Sequence, residues 1–342
     1  MGIKRIDELT KEEEKRATEL YQKAIVIECL TPGFAIKHPE YIRETRDAGV
    51  TATHFSVFPN DSNLRGALDH IARWYEMAEQ SDAIIALKTD DIVRAKKEKR
   101  PCVIWGSQNP KPIEENIKYV RILHALGLRI IQLTYEQPNY IGTGGSEPDS
   151  GITKFGRKVI EQMNRVGVLI DVSHCGDQTV MDAIKYSQHP IAITHANPRA
   201  KVNHTRNKTD EQLLALAEKG GVIGITAWSL IAMVKKGIRP DVEDFLDLME
   251  YVIRLIGIDH VGIGLDLTPA WDWEPEGYHH WVKKYPGFAF ANIDDRTVKD
   301  IHHVSRVKNV ARGLVARGYS DDDILRVLGG NFLNLFRKVW NG

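Results

Sequence analysis

The sequence predicts a (β/α)8 barrel. Eight short apolar runs lack strict polar alternation, as parallel strands covered on both faces do. Amphipathic helical stretches separate nearly all of them, and 342 residues hold eight such units with room for insertions. An open doubly wound sheet is the alternative. It loses ground because no GxGxxG follows the first strand and no Walker loop is present. No internal repeat or low-complexity linker breaks the pattern, so one domain over 1–342 is expected.

The elements follow in order. Strands are expected at 24–29, 50–58, 100–106, 129–135, 168–174, 190–195, 222–228 and 260–266. Helices are expected at 41–49, 67–80, 113–127, 153–167, 178–187, 209–221 and 242–257. Thr153 reads as an N-cap, Thr209 or Asp210 caps another helix, and glycines such as Gly127 stop them. The longest irregular stretch, about 267–295, is rich in Trp, Tyr, Pro and His. A loop of that size after the eighth strand reads as a lid or an oligomer contact.

Composition narrows the partners. Forty-six basic and 46 acidic residues leave a formal net charge of zero, which offers no broad attraction for nucleic acid or an anionic membrane. Cys29, Cys102 and Cys175 are odd in number and scattered, which points away from a disulfide framework and toward a reducing compartment. The opening residues are charged and carry no apolar signal core. No run approaches the roughly 18 apolar residues of a membrane helix. A cytoplasmic protein acting on a small molecule is expected.

Two strands carry the chemistry. "LIDVSHCG" and "PIAITHAN" each run from apolar residues into a histidine, His174 and His195. In such a barrel the active site lies at the C-terminal strand ends. The other polar residues there are Glu28, His54, Gln108 with Asn109, Thr134 with Tyr135, Asp171, Asn197 and Asp266. Two imidazoles on consecutive strands suit a divalent metal or an acid–base pair, and a carboxylate with an open coordination place would complete a catalytic centre. Glu28 on an apolar strand is either bound to a cation or hydrogen-bonded within the barrel. Asp266, in the glycine-punctuated "GIGLD", reads as a base or substrate anchor. The adjacent pairs His279–His280 and His302–His303 read as surface or loop residues.

The segments "GRKVIEQMNRVGVLIDVSHCGDQTV", "PIAITHANPRAKVNHTRNKTDEQLLALAEKGGVIGIT", "VGIGLD" and "GGNFLNLFRKVW" resemble the membrane (renal) dipeptidase family of zinc hydrolases. These are amidohydrolase-like barrels. The resemblance runs from about Ile25 to the end and is most specific over 155–226. It implies a binuclear zinc site whose fifth- and sixth-strand histidines match His174 and His195. It also implies an arginine for the substrate carboxylate, matching Arg206, and an aspartate facing the substrate amine or attacking water, matching Asp266.

Departures from the family are large. The first-strand HxD ligands become Leu30 and Pro32, the bridging glutamate becomes Gln108, and the fourth-strand histidine becomes Tyr135. The resemblance therefore implies a divergent subgroup with at most one divalent metal, zinc first and manganese or iron next, or with none. His174 and His195 would hold it, with Glu28, Asp266 or Gln108 as third ligand. Asp266 would move the proton, and Tyr135 or His54 would stabilise an oxyanion. Arg206, Gln108, Asn109 and Asn139 would bind substrate. The expected reaction is hydrolysis of an amide in a carboxylate-bearing small molecule: a dipeptide, an N-acyl amino acid or a cyclic amide. The rivals are lactonase or decarboxylase chemistry on the same barrel, and a non-catalytic small-molecule binder. A homodimer is expected.

Overall fold

A computed structural model describes residues 4–33, 38–145, 148–268, 279, 282–285 and 293–340. Nine parallel strands form one sheet: β1 (Ile27–Thr31), β2 (Ala52–Ser56), β3 (Ile84–Ile85), β4 (Cys102–Ser107), β5 (Leu128–Gln132), β6 (Leu169–Asp171), β7 (Ala192–Ala196), β8 (Val222–Ile225) and β9 (Val261–Ile263). The hydrogen-bonded order is β1-β2-β4-β5-β6-β7-β8-β9, with helices between successive strands, which is the expected eight-stranded barrel. The added strand β3 pairs with the start of β4 (Ile84 beside Cys102), outside the barrel path.

The eight expected strands are present; β1, β4 and β7 run one or two residues past their expected C-terminal ends, and β2, β5, β6, β8 and β9 stop short of theirs. At β6 the Asp171 carboxylate accepts the backbone N–H of Ser173 and of Thr194, so side chain replaces ladder and the strand stops three residues before His174. At β8 the Asn197 amide oxygen accepts from Thr226 N and ends the strand at Ile225. His195 thus lies within β7, one residue before its end, whereas His174 stands three residues beyond β6 in a loop fixed by side chains. The helix expected from 113 begins at Lys118, because Lys111–Ile113 forms a 3-10 turn and the Asn116 side chain accepts from Lys118 N.

Helix Lys154–Val166 shows how sequence sets the packing. Thr153 accepts from Gly156 N at 2.9 Å, and Gly167 closes the end at φ 79°. Gly156, Val159, Ile160 and Met163, at helical spacing, face the barrel. Thr209, not Asp210, caps Asp210–Glu218. The apolar core has two parts. One fills the layer between strands and helices. The other joins strand-start residues inside the barrel (Ala52, Cys102, Leu169, Ala192, Val222) to Phe332, Leu333, Phe336 and Trp340 of the C-terminal helix Asn331–Trp340. That helix seals the N-terminal end, so polar side chains inside the barrel collect toward the C-terminal end.

The cysteines are buried and free. Among the described residues no helix is long and apolar enough to cross a membrane. The loop expected over 267–295 lies largely outside the described residues, as does His280; His279 and His302 are exposed and His303 is half-buried.

Candidate active site at the C-terminal strand ends

His174 and His195 converge. Their Nε2 atoms are 2.9 Å apart, and the Gln108 amide nitrogen stands 3.4 Å from each. Both rings are buried, and burial pulls both imidazoles well below their usual range. Each ring is gripped from behind at Nδ1. His174 Nδ1 lies 2.6 Å from the Glu136 carboxylate, which has no proton to give and so accepts an N–H. His195 Nδ1 lies 2.8 Å from Thr194 Oγ1, whose own proton goes to Asp171 Oδ2 at 2.7 Å. Neutral rings that donate from Nδ1 to these partners carry lone pairs on both Nε2 atoms, and the two Nε2 atoms face each other.

Two facing lone pairs repel unless a cation lies between them. A separation of 2.9 Å suits two neighbouring ligands about 2.0–2.1 Å from one zinc at roughly a right angle. Carboxylate or hydroxyl partners on the far ring nitrogen are also what orient metal-binding histidines. The donor set therefore fits one divalent ion through two imidazoles, and half a turn of the Gln108 amide would add its oxygen. Among the described residues no three His, Cys, Asp or Glu side chains gather as a ligand set.

Glu28, the expected carboxylate ligand, is engaged elsewhere. Strands β1 and β9 end the hydrogen-bonded path, and Glu28 spans the gap between them. Its Oε1 accepts from Leu265 N at 2.6 Å and Leu30 N at 3.3 Å, and its Oε2 accepts from Thr31 Oγ1 at 3.2 Å. Burial pushes its carboxyl up to about 8, with Asp266 adding to the rise. The geometry favours the hydrogen-bonded role over the cation-bound one. Asp266 adopts φ 58°, a left-handed conformation uncommon outside glycine, and burial raises its carboxyl to about 7 against the pull of Arg206.

Other expected roles change. His54 Nδ1 donates to the Cys29 carbonyl at 2.8 Å, so in the neutral ring its buried Nε2 is an acceptor with no partner. In that tautomer His54 offers an acceptor, not a donor, at Nε2. Tyr135, stacked on His174 at 4.1 Å between ring centres, keeps a hydroxyl of suitable polarity. Asn139 spends both amide protons on Asn109 Oδ1 and Leu133 O, and its oxygen on Ile141 N and Gly142 N. It shapes the turn and lines the same recess as Asn109. Asn109 lines a recess of about 470 Å³ beside Tyr135 and Tyr285.

Arg206 is 2% exposed. Its Nε pairs with Glu136 Oε1 at 3.2 Å, and its terminal nitrogens donate to the carbonyls of Ser173 and His195. Three of its five N–H groups are thus engaged within the chain. Sequence reasoning missed Glu136. It follows Tyr135 in a turn-like "YEQPN", where an acidic residue reads as solvated; only the fold shows it wholly buried at φ 55°. It also missed Thr194 as a hydroxyl link and Lys208, whose buried amine donates to Cys175 O at 3.1 Å and is pulled down to about 8 by burial.

Comparison with known proteins places the chain in a family. The family model described as membrane dipeptidase (peptidase family M19) matches residues 38–296. Dipeptidase tcpJ of Claviceps purpurea is 27% identical over 258 residues, 75% of this chain and 55% of that protein. Human dipeptidase 3 is 24% identical over 253 residues, 71% of this chain and 46% of that protein. The match thus spans about half the length of these relatives. A solved amidohydrolase from Pseudomonas aeruginosa superposes with a TM-score of 0.87 at 30% identity, covering 95% of this chain and 99% of that one. A Rhodobacter sphaeroides metallopeptidase, solved with a phosphinate mimic of L-Ala-D-Ala, shares the fold at a TM-score of 0.77 and 17% identity, covering 93% of this chain and 100% of that one. The chain belongs to the membrane dipeptidase family M19, a family of metal-dependent hydrolases.

Proposed function

We propose that the chain hydrolyses an amide bond in a small carboxylate-bearing molecule, a dipeptide, N-acyl amino acid or cyclic amide, using one divalent ion held by His174 and His195. The observation that carries this reading is the pair of imidazole Nε2 atoms 2.9 Å apart, each ring held at Nδ1 from behind. His174 and His195 would hold the cation, which when bound would polarise the scissile carbonyl and acidify a water molecule. Zinc suits two imidazoles best, and Gln108 is the neutral third neighbour.

The chain's own groups supply the rest. Asp266, with its carboxyl raised to about 7, is poised near neutrality to take a proton from water and return it to the leaving nitrogen. The Tyr135 hydroxyl is the donor for the developing oxyanion. The two remaining N–H groups of Arg206 hold the substrate carboxylate, and the 470 Å³ recess lined by Asn109, Tyr135 and Tyr285 takes the side chain beyond the scissile bond.

Protein purified without chelator is assayed for metal, then for hydrolysis of a panel of dipeptides, N-acyl amino acids and cyclic amides with added zinc, manganese or iron. About one equivalent of metal, lost in His174→Ala and His195→Ala together with turnover, is expected. Metal far below one equivalent and no turnover under any addition would replace this reading with the non-catalytic binder.

A further inference from the structure

We propose that Asp171 is a positioning residue for His195, acting through the Thr194 hydroxyl, and that this two-step relay keeps His195 protonated on Nδ1 so that its Nε2 lone pair is available. The inference rests on the reading of the His174–His195 pair as a cation site, but its first step is a property of the chain alone.

The relay follows from counting donors. Asp171 is buried and accepts four hydrogen bonds. Its Oδ1 takes Ser173 N and Thr194 N, both at 3.0 Å, and Ser173 Oγ at 2.6 Å. Its Oδ2 takes Thr194 Oγ1 at 2.7 Å. The carboxylate is the strongest acceptor near that hydroxyl, so the Thr194 proton is committed to it. The Thr194 oxygen is then left to accept, and the group 2.8 Å away is His195 Nδ1. The ring must supply the proton. Its direction is therefore set two groups away, by a residue that touches neither ring nor substrate.

Substituting Asp171 by Asn tests this direction. Two of the three donors at Oδ1 are backbone N–H groups that cannot reverse, so the Asn carbonyl oxygen must take that place. Its NH2 then faces Thr194 Oγ1. The hydroxyl proton is released, and its nearest other acceptors are His195 Nδ1 at 2.8 Å and Ser173 Oγ at 3.1 Å. Donation to Nδ1 moves the ring proton to Nε2 and blocks the lone pair. Thr194→Val removes the acceptor with little change of shape, and Thr194→Ser restores it.

The experiment reads imidazole 15N chemical shifts in histidine-labelled, metal-free protein, then zinc affinity by competition with a chelator. Wild type and Thr194→Ser are expected to show His195 protonated on Nδ1. Asp171→Asn and Thr194→Val are expected to show proton density on Nε2, with zinc affinity weakened about 10- to 100-fold, while His174, held by Glu136, keeps its own proton on Nδ1. If Asp171→Asn does not fold, the Val and Ser pair carries the test alone. Wild-type His195 already protonated on Nε2, or Thr194→Val retaining the Nδ1 proton, overturns the relay. Tautomers that respond as expected in a protein that binds no zinc would uphold the relay and remove the cation reading.

Discussion

Replacing Glu28 by Gln separates the two roles open to this side chain. The carboxyl stitches the one seam of the barrel that backbone hydrogen bonds leave open, through Leu265 N at 2.6 Å. Burial raises it to about 8 in the fold, against about 4.3 in an unfolded chain. The folded state therefore favours the protonated acid. The stability this gives is fully present below about pH 4 and is lost as pH rises through 8, at up to about 1.4 kcal/mol per pH unit. Over the whole window the loss is on the order of 4–5 kcal/mol. The Gln variant keeps an acceptor for Leu265 N and Leu30 N, lets Thr31 Oγ1 bond its NH2 and never ionises. Its stability relative to wild type should climb from pH 5 to pH 8 by a few kcal/mol and then level. Glu28→Ala instead orphans the buried Leu265 N–H and should cost about 1–3 kcal/mol plus its cavity at pH 5. Urea unfolding at pH 5, 7 and 9 measures these differences. A Gln variant that runs parallel to wild type across that range would show that Glu28 does not carry its proton in the fold. Loss of bound metal in the Gln variant would show that Glu28 is a ligand after all.

Two further outcomes follow from the same geometry. If Asp266 is the proposed base, its carboxyl raised to about 7 makes kcat/KM rise about tenfold per pH unit below that point and flatten above it; a profile level from pH 5.5 to 8 would contradict the assignment. A Cβ on Gly264 would overlap the Thr194 carbonyl oxygen and stand 2.9 Å from its carbon, so Gly264→Ala must push the His195 segment aside. It should cost about 1–3 kcal/mol and lower metal affinity as well as Tm; an unchanged melting curve would show that the strands have slack there.

The barrel was legible because its signal is local. Apolar runs, N-caps at Thr153 and Thr209 and helix-ending glycines each act over a few residues. His174 and His195 were legible for the same reason, since both end an apolar strand. What failed to show was which atom of each side chain was already taken. Asn139 reads as a free amide until its turn consumes all four bonds, and His54 reads as a donor until the Cys29 carbonyl fixes its proton. Glu28 was correctly poised between two roles, because the choice depends on how β1 meets β9, 237 residues away in sequence. Glu136 was invisible because its partners come from two other loops.

Glu136 also changes what Arg206 means. A guanidinium 2% exposed needs a counter-charge, and the resemblance assigns that task to the substrate. Here a carboxylate of the chain performs it, and the same oxygen holds His174 Nδ1. The loops after β5, β6 and β7 are thereby tied at one atom. Its backbone sits at φ 55°, a conformation that costs about 1 kcal/mol or more and persists only where surroundings enforce it. Gly144 is part of that enforcement, because a Cβ there would overlap the Glu136 carbonyl. With Gln108 in place of a charged bridge, the negative charge of the site stands behind the imidazoles, in Glu136 and Asp171, rather than between them. That arrangement keeps two imidazole nitrogens aimed at one point, and in the proposed reaction a substrate carboxylate would be the second partner of Arg206, after Glu136.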